Sequence, residues 1–157
     1  MANIIRAVNH RLLQRSFVPS LPGLTARGES ESLAGKTIAI TGASAGIGRA
    51  AAFRLASRGA TLVLIARSGS SLKETAAGVG ERGGTAVALE ADLTDETAAA
   101  AVIDELNRRK VDVLVNNAGR SIRRKIIDST DRMHDFERTM AINYFAAVRL
   151  SLGVLDG

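Results

Sequence analysis

Four short apolar runs, separated by alanine-rich stretches long enough for helices, leave this chain few ways to fold. The runs are KTIAIT (36–41), TLVLIA (61–66), TAVALEA (85–91) and VDVLVNN (111–117). The stretches between them, 47–58, 71–82 and 95–110, each supply three or four helical turns. Near-continuous apolar strands belong to sheets covered on both faces, and strands alternating with helices build parallel crossover units. Gly59 stands after the first helical stretch and Gly83–Gly84 after the second, where helix-ending glycines are expected. A last helical pattern runs from about Arg132 to Leu152. The expected architecture is α/β, a doubly wound parallel sheet of about four strands.

The segment after the first run is TGASAGIG (41–48). Its glycines, Gly42, Gly46 and Gly48, each meet a need of a phosphate-binding turn. Gly42 lets the chain turn tightly off the strand, a side chain at Gly46 would block a pyrophosphate, and Gly48 lets the helix pack against the strand. Backbone N–H groups at the helix start, that of Ile47 among them, would face the phosphates with the helix dipole behind them. Ser44 can add a hydroxyl donor. The alternative is a glycine-rich turn without a ligand. The position between first strand and first helix favours a dinucleotide in a Rossmann-type domain.

Composition removes other classes. The 157 residues contain no cysteine, which excludes disulfides, thiolate zinc sites and a cysteine nucleophile. His10 and His134 are the only histidines, too few for a histidine metal cluster, so no metal is expected. No apolar run approaches the roughly 18 residues that span a bilayer. The formal net charge of +5 sits mostly in one place: Arg6, Arg11, Arg15 and Arg27 face no acid within residues 1–28. With a nearly neutral body, no aromatic platform and no basic recognition helix, nucleic acid is not an expected partner.

Residues 1–32 read as a basic leader arm. Ile4, Ile5, Val8, Leu12 and Leu13 recur at helical spacing before VPSLPG (18–23) stops any helix. Arginines interrupt every apolar core a secretory signal would need, and a cytoplasmic location is expected. The arm packs on the body or a partner subunit, or lies as a basic amphipathic helix on an anionic membrane surface. Residues 33–157 then form the N-terminal part of the nucleotide-binding domain.

ADL (91–93) after the third run, NNAG (116–119) after the fourth and MAINYFAAVRL (140–150) in the last helix complete an ordered set with TGASAGIG. Together these motifs resemble the short-chain dehydrogenase/reductase family over roughly residues 33–152. NNAGRSIRR and HDFERTMAINYFAAVRL are similar to the actinobacterial fatty acyl-CoA reductase branch. The resemblance implies roles at matching positions. Asp92 would accept a hydrogen bond from the adenine amino group, with the backbone of Leu93 alongside. Asn116, Ala118 and Gly119 would stabilise the strand end and line the adenosine pocket. Asn143 would be the catalytic-helix asparagine that positions a water in a proton relay. The plainer alternatives are a helix N-terminal carboxylate for Asp92 and an exposed polar residue for Asn143. A homo-oligomer is implied where the full domain exists.

Cofactor choice turns on the end of the second strand, where an acid would accept from ribose hydroxyls and repel a 2′-phosphate. Here Ala66 is followed by Arg67 and Ser68. A guanidinium can hold that phosphate bidentately and a serine can donate to it, so NADP(H) is expected over NAD(H). The alternative for Arg67 is a solvated loop charge.

The family's chemistry also needs a serine and a Tyr-x-x-x-Lys beyond the asparagine. The one tyrosine, Tyr144, has Val148 four residues on, no lysine follows Lys125, and Ser151 lies inside the helical run. The chain is therefore expected to be an N-terminal piece that lacks the chemistry, and to be marginal or partner-dependent alone. The family's sheet would continue with three more strands. RSIRRK (120–125) reads either as a solvated loop or as an attractor for the phosphates of a coenzyme A thioester or carrier-bound substrate. The expected function is oxidoreduction of a small carbonyl or alcohol, a fatty acyl group or aldehyde among the candidates, with this chain supplying the cofactor-binding half. A non-catalytic dinucleotide-binding module or a remnant is the competing reading.

Overall fold

The structure, a computed structural model, describes residues 33–155. The leader arm expected over 1–32 lies outside the described residues. Strands β1 (Thr37–Thr41), β2 (Thr61–Ala66), β3 (Thr85–Glu90) and β4 (Val113–Val115) form one sheet in the order β3-β2-β1-β4. Every pairing is parallel, with Ala39 beside both Val63 and Leu114. Helices α1 (Gly46–Ala56), α2 (Gly69–Gly80) and α3 (Glu96–Arg108) are the crossovers. Beyond β4 come a 3₁₀ turn (Ile126–Ser129), α4 (Met133–Met140), a π-helical turn (Ala141–Phe145) and α5 (Ala146–Leu155). The architecture is the expected doubly wound α/β sheet.

Strand periodicity places the two cores. Ile38, Ile40, Leu62 and Leu64 point to one face, against Ala52 and Ala56 of α1 and Leu72 and Val79 of α2. Ala39, Val63 and Ile65 point to the other, against Val102 and Leu106 of α3 and Ala146 and Leu150 of α5. Each fully buried Leu or Ile contributes about 1.5–3 kcal/mol relative to exposure. The crossovers cover both faces of the two central strands, and the C-terminal ends of the parallel strands lie at one end of the sheet.

Two strands differ from their sequence reading. β3 was expected as a buried run, yet Thr85, Ala88 and Glu90 are exposed and the others half-buried, because β2 is its single neighbour. β4 was expected over 111–117 and occupies three residues. On its N-terminal side the Asp112 carboxylate takes the Lys36 ammonium at 2.6 Å and the Thr37 N–H at 2.8 Å. These contacts, Lys36 first and Thr37 second, hold that carboxyl below its usual range. On its C-terminal side the Asn117 N–H donates to the Thr41 hydroxyl, 2.9 Å, instead of to a strand carbonyl.

The helix stops act as the glycines require. Gly59 and Gly83 have φ of +83° and +75°. After α2, Gly84 N–H reaches Val79 C=O at 3.0 Å and Gly83 N–H reaches Gly80 C=O at 2.9 Å, the paired bonds of a left-handed helix cap. α3 ends the same way without glycine: Lys110 has φ of +51°, and Val111 and Lys110 donate to Leu106 and Asn107. The last helical pattern is one run in the sequence but is interrupted by the π turn. That turn holds Asn143, whose side chain is bonded to the loop after β4. Among the described residues no helix is long and apolar enough to cross a membrane, and no group of three His, Asp or Glu is placed to hold a metal.

Candidate functional site

A cleft of about 430 Å³ opens where the β-strands end, lined first by Gly42, Ser44, Gly46 and Ile47 of the turn between β1 and α1. Arg67 and Ser68 line it from the end of β2, Leu93 from beyond β3, and Ala118 and Gly119 from beyond β4. Nine sequence-selected residues therefore meet around one space, although they come from four segments.

The three turn glycines are needed for different reasons. Gly42 has φ of +66°, and a Cβ there would stand 2.9 Å from the Ala118 Cα. Gly46 has φ of +55° and nothing within 4 Å of a would-be Cβ, so the space beside its backbone belongs to the cleft. Gly48 is buried behind the turn. A Cβ on it would overlap the Gly42 carbonyl oxygen and approach Asn117 Nδ2 to 2.5 Å. Its close packing is thus against the turn and Asn117, not against the body of the strand as expected.

The helix N-termini facing the cleft lack side-chain caps. Ala45 caps α1 with no side-chain bond and no acid in the first turn. Ser68 precedes α2, also without an acid in the first turn, and its hydroxyl donates to Ser71 Oγ at 3.2 Å instead of accepting from a helix N–H. By contrast Asp95 caps α3 by accepting from Ala98 N–H at 2.7 Å, with Glu96 next to it. Uncapped N–H groups and a positive helix end suit an anion.

The remaining selected residues lie in different settings. The Asp92 carboxylate accepts from the Thr94 N–H at 3.0 Å and the Thr94 hydroxyl at 2.7 Å. Those bonds, with Arg67 adding a smaller effect from 4.0 Å, hold its carboxyl below the usual range. Asp92 is therefore not the cap of α3. Asn116 points away from the cleft lining, donating to Ser151 Oγ at 3.0 Å. Strand-end stabilisation falls instead to Asn117, which the sequence reading passed over. Its amide donates to the Thr41 C=O at 2.9 Å and the Gly42 C=O at 3.3 Å, and it lines the cleft. The buried Thr41 hydroxyl completes the join, donating to Val115 C=O and accepting from the N–H groups of Asn117 and Ala118. A polar threonine ending an apolar strand was the available signal.

Asn143 is exposed beside the cleft, next to Ile142, which lines it. Its Oδ1 accepts from Arg120 N–H and its Nδ2 donates to Arg120 C=O, both at 2.9 Å. The asparagine ties the loop after Gly119 to the π turn. Tyr144 packs edge-on against Phe145, ring centroids 5.2 Å apart, with the side chain of Val148 one turn on also exposed.

The cluster at 120–125 is divided. Arg124 donates to the buried Asp135 carboxylate at 2.8 Å, which Arg132 at 2.8 Å and Arg138 also hold. The three guanidiniums, Arg132 foremost, keep that carboxyl far below its usual range. Arg124 is a clamp between the loop and α4; Arg120, Arg123 and Lys125 are the other exposed cations of the cluster.

The family model for short chain dehydrogenase matches residues 36–157. The chain is 49% identical over 131 residues to a fatty acyl-CoA reductase of Acinetobacter baylyi, covering 80% of this chain and 43% of that one. A short-chain dehydrogenase from Sphingobium yanoikuyae, solved in complex with NADPH, superposes with a TM-score of 0.69 at 39% identity, covering 76% of this chain and 47% of that one. An NAD+-bound xylitol dehydrogenase superposes with a TM-score of 0.72 at 31% identity, covering 79% and 48%. The chain thus spans about half the length of the relatives it matches. With the glycine turn, the strand-end join and the uncapped helices in one cleft, and a family match over most of its length, this chain belongs to the short-chain dehydrogenase family of oxidoreductases.

Proposed function

We propose that this chain supplies the cofactor-binding half of an NADP(H)-dependent oxidoreductase acting on a carbonyl or alcohol, with fatty acyl or aldehyde substrates. The observation that carries the reading is the open space over Gly46, the first residue of uncapped α1, in a cleft that Ser68 at the uncapped start of α2 also lines. A dinucleotide fits this donor set. The pyrophosphate would rest on the backbone of Gly46 and Ile47 with Ser44 donating, and the adenosine would lie between Leu93, Ala118 and Gly119. Arg67 and Ser68 would meet the ribose, and Asp92 the adenine amino group. Bound nicotinamide dinucleotide supplies the hydride donor or acceptor. Asn143 would hold the loop after Gly119 beside the reacting end.

The substrate class is supported by the likeness to the fatty acyl-CoA reductase and by Arg120, Arg123 and Lys125 just beyond Gly119. The cations suit the phosphates of a coenzyme A thioester. The competing reading is a dinucleotide-binding module without catalysis: of the catalytic set the resemblance implies, Asn143 is the member these residues contain, and the one tyrosine, Tyr144, has Val148 four residues on.

Titration of the chain with NADPH and NADH, followed by nicotinamide fluorescence, tests the shared core of both readings. Saturable binding of NADPH supports it, and no binding of either nucleotide overturns it. Reduction of an acyl-CoA or aldehyde by a protein of the relatives' length carrying these residues separates the first reading from the second.

A further inference from the structure

An anion stands beside the cleft, at the start of α2, next to the lining residues Arg67 and Ser68. Glu90, the last residue of β3, pairs in register with Ala66, the residue before Arg67 and Ser68. Its carboxylate lies directly over Gly69, the first residue of α2: a Cβ on that glycine would overlap Glu90 Oε2. α2 has no side-chain cap and no acid in its first turn, so Glu90 brings from a neighbouring strand the negative charge that the helix end lacks. The charged groups on the flanking segments are Arg67, one residue beyond its register partner, and Asp92, two residues further along its own segment, which stand 4.0 Å from each other.

We infer that Glu90 is a specificity-determining residue for the cofactor's ribose, opposing a 2′-phosphate and favouring a free 2′-hydroxyl. The inference rests on the cofactor cleft proposed above and adds a residue that acts against Arg67. A 2′-phosphate drawn to Arg67 and Ser68 meets a like charge already seated on the same helix terminus. A 2′-hydroxyl meets an acceptor instead. The two residues pull the preference in opposite directions, so Glu90 narrows the NADP(H) preference that Arg67 and Ser68 confer.

The test is the ratio of NADPH to NADH affinity in the wild-type chain, Glu90→Gln and Glu90→Ala, each measured by fluorescence titration at low and high salt. Glu90 is exposed, and the two variants remove the charge with and without the side chain's length. The expected result is a gain of roughly tenfold in NADPH affinity in both variants at low salt, shrinking at high salt, with NADH binding unchanged or weaker. A ratio that stays within about twofold of wild type in both variants, or a gain indifferent to salt, overturns the inference while leaving the cleft intact. If the wild-type chain binds neither nucleotide, the cleft reading falls and takes this inference with it.

Discussion

Replacing Gly46 and Gly48 separately by alanine should give opposite patterns of damage, although the residues are two positions apart. At Gly46 the backbone is left-handed, which costs a side-chain-bearing residue about 1–2 kcal/mol. A methyl there meets nothing within 4 Å, so no packing term is added. At Gly48 the same methyl overlaps the Gly42 carbonyl oxygen and presses on Asn117 Nδ2. Overpacking of that kind costs about 1–3 kcal/mol, and pushing Asn117 off the Thr41 carbonyl adds about 1–3 kcal/mol. The better helix propensity of alanine returns about 1 kcal/mol. The net loss for Gly48→Ala is therefore about 3 kcal/mol, roughly a 10 °C fall in Tm for a domain of this size, against roughly half that or less for Gly46→Ala. Nucleotide binding should respond the other way round: the Gly46 methyl enters the cleft and should weaken NADPH by more than about tenfold, because the backbone can no longer approach the pyrophosphate. Denaturant unfolding followed by circular dichroism, with NADPH titration on the same samples, reads both quantities. A Gly48→Ala chain as stable as wild type would refute the steric reasoning. A Gly46→Ala chain that binds NADPH normally would refute the placement of the phosphates.

The other expectations are more local. Asn117→Ala should destabilise the chain by about 1–3 kcal/mol, while Asn116→Ala, which loses an exposed contact to Ser151, should stay within about 0.5 kcal/mol by denaturant unfolding. Asp135→Asn should lower Tm at neutral pH. A depressed carboxyl stabilises the fold above the ordinary carboxylate pKa of about 4 and loses that contribution as pH falls toward the folded value. The Tm gap between wild type and Asp135→Asn should therefore be level above about pH 5 and close in strong acid; a gap that widens on acidification would contradict the clamp. Arg67→Gln should weaken NADPH more than NADH, and equal weakening would place the 2′-phosphate elsewhere. In a protein of the relatives' length, Arg123→Gln should raise KM for a coenzyme A thioester over that for a simple aldehyde, whereas Arg124→Gln should act through Tm. Equal KM effects of Arg123→Gln on both substrates would reject the phosphate role.

Much of the cleft was legible because its makers are backbone features with sequence signatures. A left-handed turn needs glycine, and Gly42 and Gly46 provide it at φ of +66° and +55°. What could not be read was which of two like neighbours did a job. In NNAG the side chains of Asn116 and Asn117 leave the chain in different directions, and which meets Thr41 depends on how β4 docks beside β1. The role of Arg124 was hidden in the same way: Asp135 lies eleven residues on, and the 3₁₀ turn and α4 bring it back. The π turn has no composition of its own to announce it.

The sequence by itself determined the alternation of four strands with helices, the glycine stops of the first two crossovers and the glycine turn after β1. Those follow from hydrophobic period and from local backbone sterics, which act over a few residues. Tertiary structure alone decided that β3 is an edge, that Asn117 and not Asn116 secures the turn, and that Glu90 lies on the N-terminus of α2. Each of these is a meeting between segments distant along the chain. Sheet order and register, set by burying both faces of β1 and β2, choose the partners.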